Sequence, residues 1–142
     1  MTLPGVGRPL PQLTELTAPY WTSGSDGVWR MQRCRSCGRL FHPPGLRCPH
    51  DHGLPDYVEL SGKGLVETWT VNRHPFFGGF DPPYVIAFVT PVEDRRVRVL
   101  TNLVNVEPEQ VSADMAVRVT FVECTDGDDG DHVFLPVFEP DR

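Results

Sequence analysis

Apolar and polar side chains alternate from residue 28 to residue 33, which places Trp29 and Met31 on one face of a strand. The chain then turns at Cys34-Arg-Ser-Cys37-Gly38 and returns through Leu40, Phe41 and His42, until Pro43-Pro44-Gly45 breaks the run. From residue 57 onward, short runs rich in Val, Thr, Phe and Tyr recur with turn residues between them. They predict strands at 58–60 with 64–72, then at 84–90, 97–104, 117–123 and 133–138. Glu107-Pro108-Glu109-Gln110 predicts one helical turn between the third and fourth strands of this set. Ahead of all of these, Thr17 reads as an N-cap with Pro19 in the first turn of a short helix, where its missing N–H costs nothing. That helix carries Tyr20 and Trp21 towards a partner surface, and Gly24 and Gly27 stop it. Residues 1–16, with Pro4, Pro9 and Pro11, read as an extended arm.

Five strands with a small helix between the third and fourth is the pattern of an OB-type barrel. Composition supports it. The 142 residues are 39% apolar and include 15 Pro and 13 Gly, a profile of short elements joined by turns that argues against a helical bundle. The net charge of −6 opposes nonspecific nucleic-acid binding, which needs cationic surface to release counterions. The charge is uneven, because residues 28–47 hold Arg30, Arg33, Arg35, Arg39 and Arg47 and no acid. No apolar run is long enough to span a bilayer, and the start of the chain lacks an apolar signal core, which predicts a cytoplasmic protein that binds no membrane.

Cysteine spacing adds a metal to this picture. Cys34 and Cys37 lie two residues apart in a turn closed by Gly38, so both thiolates can reach one tetrahedral ion. A second knuckle opens at Cys48-Pro49, and the position three residues on is Asp51. The predicted site is a structural zinc held by Cys34, Cys37, Cys48 and Asp51. His52 and then His50 are the alternatives for the fourth ligand, since imidazole is a commoner companion of three thiolates; a knuckle that has lost its metal is a further reading. Four protein ligands leave no position for a reacting water, so the role is structural. The predicted organisation is all-β: an arm and short helix over 1–27, a rubredoxin-like zinc ribbon over 28–57, and a five-stranded OB barrel over 58–142.

Elsewhere the chain lacks a self-contained catalytic set. Cys124 at a strand end reads as a buried thiol, and His74 has no sequence-evident partner for acid–base work. Glu67 and Thr68 are expected on opposite faces of a strand. Arg95, Arg96 and Arg98 surround a turn, either as an exposed tip or as a contact to an anion such as a coenzyme phosphate. Phe76, Phe77 and Phe80, in the glycine-rich connection over 74–83, exceed what a small barrel can bury, and with Tyr20, Trp21 and His74 they predict an interface or a substrate-proximal surface. Residues 125–131 (TDGDDGD) read as a solvated acidic turn.

The run Pro19-Tyr20-Trp21, then Trp29-Arg-Met-Gln-Arg-Cys34-Arg-Ser-Cys37-Gly38-Arg39, together with Cys48-Pro49, Glu59-Leu60-Ser61-Gly62-Lys63-Gly64, Pro83-Tyr84-Val85, Leu100-Thr101-Asn102-Leu103-Val104 and Leu135-Pro136-Val137-Phe138, resembles the zinc-ribbon/OB-fold family catalogued as domain of unknown function thirty-five. The chain departs from that family at Asp51, where cysteine is usual. The resemblance implies an acyl-CoA-associated accessory subunit that pairs with a thiolase-like subunit as a hetero-oligomer, a heterotetramer. In steroid side-chain degradation such a pair is an aldolase, a carbon–carbon lyase that cleaves a hydroxylated steroid acyl-CoA by retro-aldol chemistry, with the catalytic residues on the thiolase-like subunit and the acyl-CoA shared. The family's domain also occurs as the C-terminal part of a longer hydratase-like subunit. The alternative expectation is a stand-alone module that shuttles acyl-CoA between enzymes. A nucleic-acid binder is the third, and the acidic balance opposes it.

Overall fold

The computed structural model describes residues 10–75, 81–125 and 132–142. The arm over 1–9, the phenylalanines at 76, 77 and 80, and the acidic turn over 126–131 lie outside the described residues. The short helix is α1 (Ala18–Trp21), followed by a single 3-10 turn at Ser23–Asp26. Its start differs from the expected one. Thr17 makes no side-chain cap; Thr14 and Thr17 instead exchange bonds, each backbone N–H donating to the other's hydroxyl at 3.1 and 3.0 Å. Pairing at that spacing is a threonine version of the capping box, which moves the effective cap one turn upstream. Gly27 closes the 3-10 turn with φ +77°, and Gly24 lies so near strand residue Phe134 that a β-carbon would sit 2.6 Å from its Cβ.

Three strands form the ribbon sheet: β1 (Trp29–Cys34), β2 (Leu40–Phe41) and β3 (Pro55–Leu60), in the order β2-β1-β3. Residues 58–60, expected to open the barrel, belong to β3 and pair with β1 instead. The register explains the choice: Glu59 sits opposite Arg30 and bonds it at 3.2 Å, while Leu60 sits opposite Trp29 and joins the same core. Gly62, at φ +84°, then turns the chain into the barrel.

The barrel holds β4 (Lys63–Asn72), β5 (Tyr84–Pro91), β6 (Val99–Leu103), β7 (Ala116–Thr125) and β8 (His132–Pro140). It closes in the order β4-β5-β6-β8-β7, with β6 parallel to β8 and a 3-10 turn at Pro108–Gln110 between β6 and β7. That is the OB topology predicted from strand spacing. Pro136 can donate nothing to β6, and the Thr101 hydroxyl bonds its carbonyl at 2.8 Å across this seam. A β-bulge between Val66 and Thr68 leaves both Glu67 and Thr68 exposed, where simple alternation expects one on each face.

Ribbon and barrel share one core. Tyr20, Trp29, Met31 and Leu40 from the N-terminal half cluster with Val66, Val85, Val99, Val117 and Phe138 of the barrel. Trp29 packs edge-on against Phe138 with ring centroids 5.1 Å apart. Tyr20, expected to face a partner, is 1% exposed and belongs to this core. Its ring meets Trp21 at 4.8 Å and His42 at 4.4 Å. An apolar ring on the inward side of a one-turn helix is covered by the return strand, which the local pattern around residue 20 does not reveal.

Candidate metal centre and the seam beside it

The two knuckles repeat one backbone design. In the first, the Cys34 carbonyl accepts from Gly38 N–H at 3.0 Å, and Cys34 N–H donates to the Arg39 carbonyl at 2.9 Å. In the second, the Cys48 carbonyl accepts from His52 N–H and Cys48 N–H donates to the Gly53 carbonyl, both at 2.9 Å. Gly38 and His52 are thus equivalent, and both have positive φ, +77° and +64°. Cys37 and Asp51 are equivalent as well, each three residues after the leading cysteine. His52 spends its position on the left-handed turn, a conformation uncommon for residues other than glycine.

The donor atoms of Cys34, Cys37, Cys48 and Asp51 lie within 4.8 Å of one another, and neither His50 nor His52 belongs to the group. Cys37 and Cys48 sulfurs are 3.7 Å apart, and Cys34 Sγ is 3.2 Å from Asp51 Oδ1. Bonds of about 2.3 Å to a tetrahedral zinc set sulfurs about 3.8 Å apart. The donor set therefore fits zinc. Backbone N–H groups of Ser36 and Cys37 point at Cys34 Sγ at 3.3 and 3.4 Å, and that of His50 at Cys48 Sγ at 3.4 Å. These donors stabilise thiolates, and the Cys34 thiol is accordingly held below its usual range, chiefly by the Cys37 N–H. Gly53 N–H, at 2.9 Å, and then the Cys34 thiol hold the Asp51 carboxyl below the ordinary carboxylate range. Gly53 also has no room for a side chain: a β-carbon would lie 2.9 Å from the Ser36 hydroxyl. This is a structural zinc site; when bound, the ion ties together two loops that share little apolar core of their own. Asp51→Ala is expected to weaken zinc binding by more than about tenfold, since even outer-shell losses cost about 10–100-fold. Asp51→Cys is expected to bind at least as tightly as the unaltered chain, as competition against a chromogenic chelator would show.

A second residue, which sequence reasoning missed, locks this ribbon to the barrel. Asp94, 8% exposed in the turn after β5, accepts from Leu40 N–H of β2 at 3.2 Å. It also accepts from Arg96, through Nε at 2.8 Å, Nη2 at 3.0 Å and the backbone N–H at 3.0 Å. The guanidinium leads these donors in lowering the carboxyl pKa to about 2. An acid followed two residues later by arginine in a turn was the available signal. A depressed pKa contributes stability that is complete above the ordinary carboxylate range and fades as pH falls towards 2. Asp94→Asn is expected to cost about 2 kcal/mol near neutral pH, and the difference from the unaltered chain should shrink in acid denaturation profiles.

The other predicted residues are dispersed. Arg95, Arg96 and Arg98 converge on one cleft of 590 Å³ with Glu67 and Thr90. Each has an acidic neighbour: Arg95 with Asp114 at 2.7 Å, Arg96 with Asp94, and Arg98 with Glu67 at 3.1 Å. Arg98 also lies over the Phe88 ring, 4.7 Å from its centre. His74 is exposed, its backbone held by the Asn72 side chain, and it does not join the metal cluster. Cys124 is buried, as expected. Burial lowers the His42 pKa to about 4, so its ring, packed on Tyr20, is neutral at physiological pH. Exposed apolar surface appears where it was not sought: Trp69 is 36% and Leu100 62% exposed, and with Phe88 and Ile86 they line shallow clefts on β4, β5 and β6. No helix among the described residues is long and apolar enough to cross a membrane.

Comparison with known proteins matches both halves of this architecture. Residues 21–55 match the model of the ChsH2 rubredoxin-like zinc ribbon domain, and residues 57–122 that of the ChsH2 C-terminal OB-fold domain. The 3-oxo-4,17-pregnadiene-20-carboxyl-CoA hydratase alpha subunit of Mycobacterium tuberculosis is 33% identical over 93% of this chain. The chain spans 40% of the length of the curated hydratase subunits it matches. A DUF35 domain-containing scaffold protein of Methanocaldococcus jannaschii is 34% identical over 76% of the chain and 78% of that protein. A solved structure titled Ltp2-ChsH2(DUF35) aldolase superposes with a TM-score of 0.77 at 33% identity, covering 92% of this chain and 98% of that one. With a zinc ribbon docked on an OB barrel and this likeness along nearly its whole length, the chain belongs to the ChsH2-type DUF35 family.

Proposed function

We propose that this chain is the non-catalytic accessory subunit of a thiolase-superfamily acyl-CoA aldolase in steroid side-chain degradation, and that it is required to assemble the complex. The observation that carries the reading is the likeness to a DUF35 chain of an aldolase over 98% of that chain's length. Two features of the molecule support it. The four donor groups gathered at the knuckles suit a structural metal. The Trp69–Leu100 strip exposes apolar area that a partner subunit would cover. In this reading the thiolase-like subunit performs the retro-aldol cleavage of a hydroxylated steroid acyl-CoA, and this chain holds that subunit in its assembled state, a heterotetramer.

The test is co-expression of a thiolase-like subunit from the same source, with and without this chain. The expected result is a soluble, active complex only when both are present, eluting together in size exclusion. A thiolase-like subunit that is soluble and fully active alone would overturn the reading. Micromolar binding of acyl-CoA by the isolated chain, with no association between the two proteins, would replace it with the shuttle.

A further inference from the structure

Strand β4 has one finished edge and one open edge. Along its length it pairs with β5, from Gly64 opposite Pro91 to Asn72 opposite Tyr84. On its other side the ladder with β7 covers only Lys63 to Leu65. Val66 is the last residue bonded there, accepting from Asp114 N–H at 2.8 Å and donating to the Met115 carbonyl at 3.0 Å. Residues 68–72 have no strand on that side among the described residues. An open edge presents a row of unpaired N–H and C=O groups, which proteins usually guard with charge or proline. Thr68-Trp69-Thr70-Val71-Asn72 contains neither, and its Thr, Trp and Val residues favour strands. Thr68, Trp69 and Thr70 are exposed, and so are Glu67 and Arg73, which bracket the segment with opposite charges.

This segment is complementary to itself. Alternate residues turn their backbone groups to an open edge, so two antiparallel copies related by a two-fold axis must centre that axis on a residue. Centred on Thr70, the pairing sets Trp69 opposite Val71, Thr68 opposite Asn72 and Glu67 opposite Arg73 of the second copy. An aromatic against a β-branched residue, and opposite charges at both ends, are favourable cross-strand pairs. Centred one residue earlier, Glu67 would meet Val71 and Arg73 would meet Leu65; one residue later, Glu67 would meet Pro75 and Arg73 would meet Trp69. Present contacts leave room for the pairing. Glu67 meets Arg98 through Oε1 at 3.1 Å, and a carboxylate can accept at its second oxygen too. Arg73 stands 3.9 Å from Glu109, beyond a hydrogen bond. Glu67 lies at the bulge of β4, an irregularity that two long side chains can span. We propose that β4 is a homodimer edge: two copies of this chain pair antiparallel through residues 68–72, with Thr70 on the two-fold axis, into one sheet running from β6 through both β4 strands to β6 of the second copy. The pairing uses an edge and leaves Leu100 to another subunit, so it does not rest on the accessory-subunit reading.

Sedimentation equilibrium of the purified, zinc-loaded chain tests it. One strand pair is less than a standard interface, so a dimer that forms with rising concentration is expected between about 10 µM and about 1 mM. Amide exchange should slow at alternate residues between 68 and 72 as the dimer forms. Thr70→Lys, at an exposed position, sets like charges face to face on the axis and should weaken the dimer about fivefold. Glu67→Arg and Arg73→Glu should each weaken it severalfold at low salt. The double variant, which exchanges the two charges, should recover most of that loss. A chain that stays monomeric at about 1 mM overturns the proposal. So does a dimer of unchanged strength in Thr70→Lys, folded by near-ultraviolet circular dichroism, or a double variant no tighter than either single one.

Discussion

Cys48→Ser is expected to abolish stoichiometric zinc and to loosen the two knuckle loops. Cys48 is 1% exposed and opens the second knuckle, so its loss removes one ligand and the sulfur on which the His50 N–H converges. The local cluster beneath the ion comprises only Cys34, Phe41 and Cys48, with Cys37 at its edge, too little apolar surface to order the loops by itself. Structural zinc contributes about 10–16 kcal/mol of apparent binding free energy in small fingers, comparable to a domain's whole net stability. Elemental analysis should find less than one zinc per chain, and hydrogen exchange should lose protection in the two knuckle loops, at 34–39 and 48–53, before the core that β1 to β3 share with the barrel. A metal-free variant with fully protected knuckle loops would refute the structural role.

Trp29→Ala should destabilise the whole molecule by about 3–5 kcal/mol, the cost of deleting a buried aromatic from a core that relaxes only in part. Trp29 is 1% exposed on β1, packs across the ribbon–barrel boundary on Phe138, and stands opposite Leu60 of β3. The shared core makes the effect global, and urea denaturation monitored at the ribbon and at the barrel should show one transition shifted as a unit. Leu100→Ala serves as the comparison. That side chain is 62% exposed, so its removal should change stability little, yet in the proposed complex it should weaken association with the partner. Independent melting of ribbon and barrel in the Trp29 variant would show that the boundary carries less coupling than its packing indicates.

Much of the fold is legible along the chain because its cues are local. Alternation around Trp29 and Met31 marks β1, glycine after Cys37 marks the first knuckle, and the recurrence of β-branched runs from residue 64 marks the barrel strands. The turn at Pro108–Gln110 lies where the pattern expects it, between β6 and β7. Asp51 was favoured by register over two neighbouring histidines, and the cluster includes it for the reason register implies, equivalence of backbone position in two copies of one turn.

Other features answer to contacts between distant residues. Whether 58–60 joins ribbon or barrel depended on Trp29 and Arg30, about thirty positions upstream. Tyr20 was read as surface because nothing near it in sequence covers it; His42 and the shared core do. Asp94 takes its meaning from Leu40, 54 residues away.

The sequence by itself determined which segments are strands, where two thiolates can share an ion, and which family the motifs resemble, because backbone preference and ligand spacing are written over a few consecutive residues. Only the tertiary structure decided that Tyr20 is core, that Asp94 clamps ribbon to barrel, and that Arg95, Arg96 and Arg98 line one cleft with Glu67. Burial and hydrogen-bond satisfaction are properties of the space between elements, and no short stretch of chain contains that space.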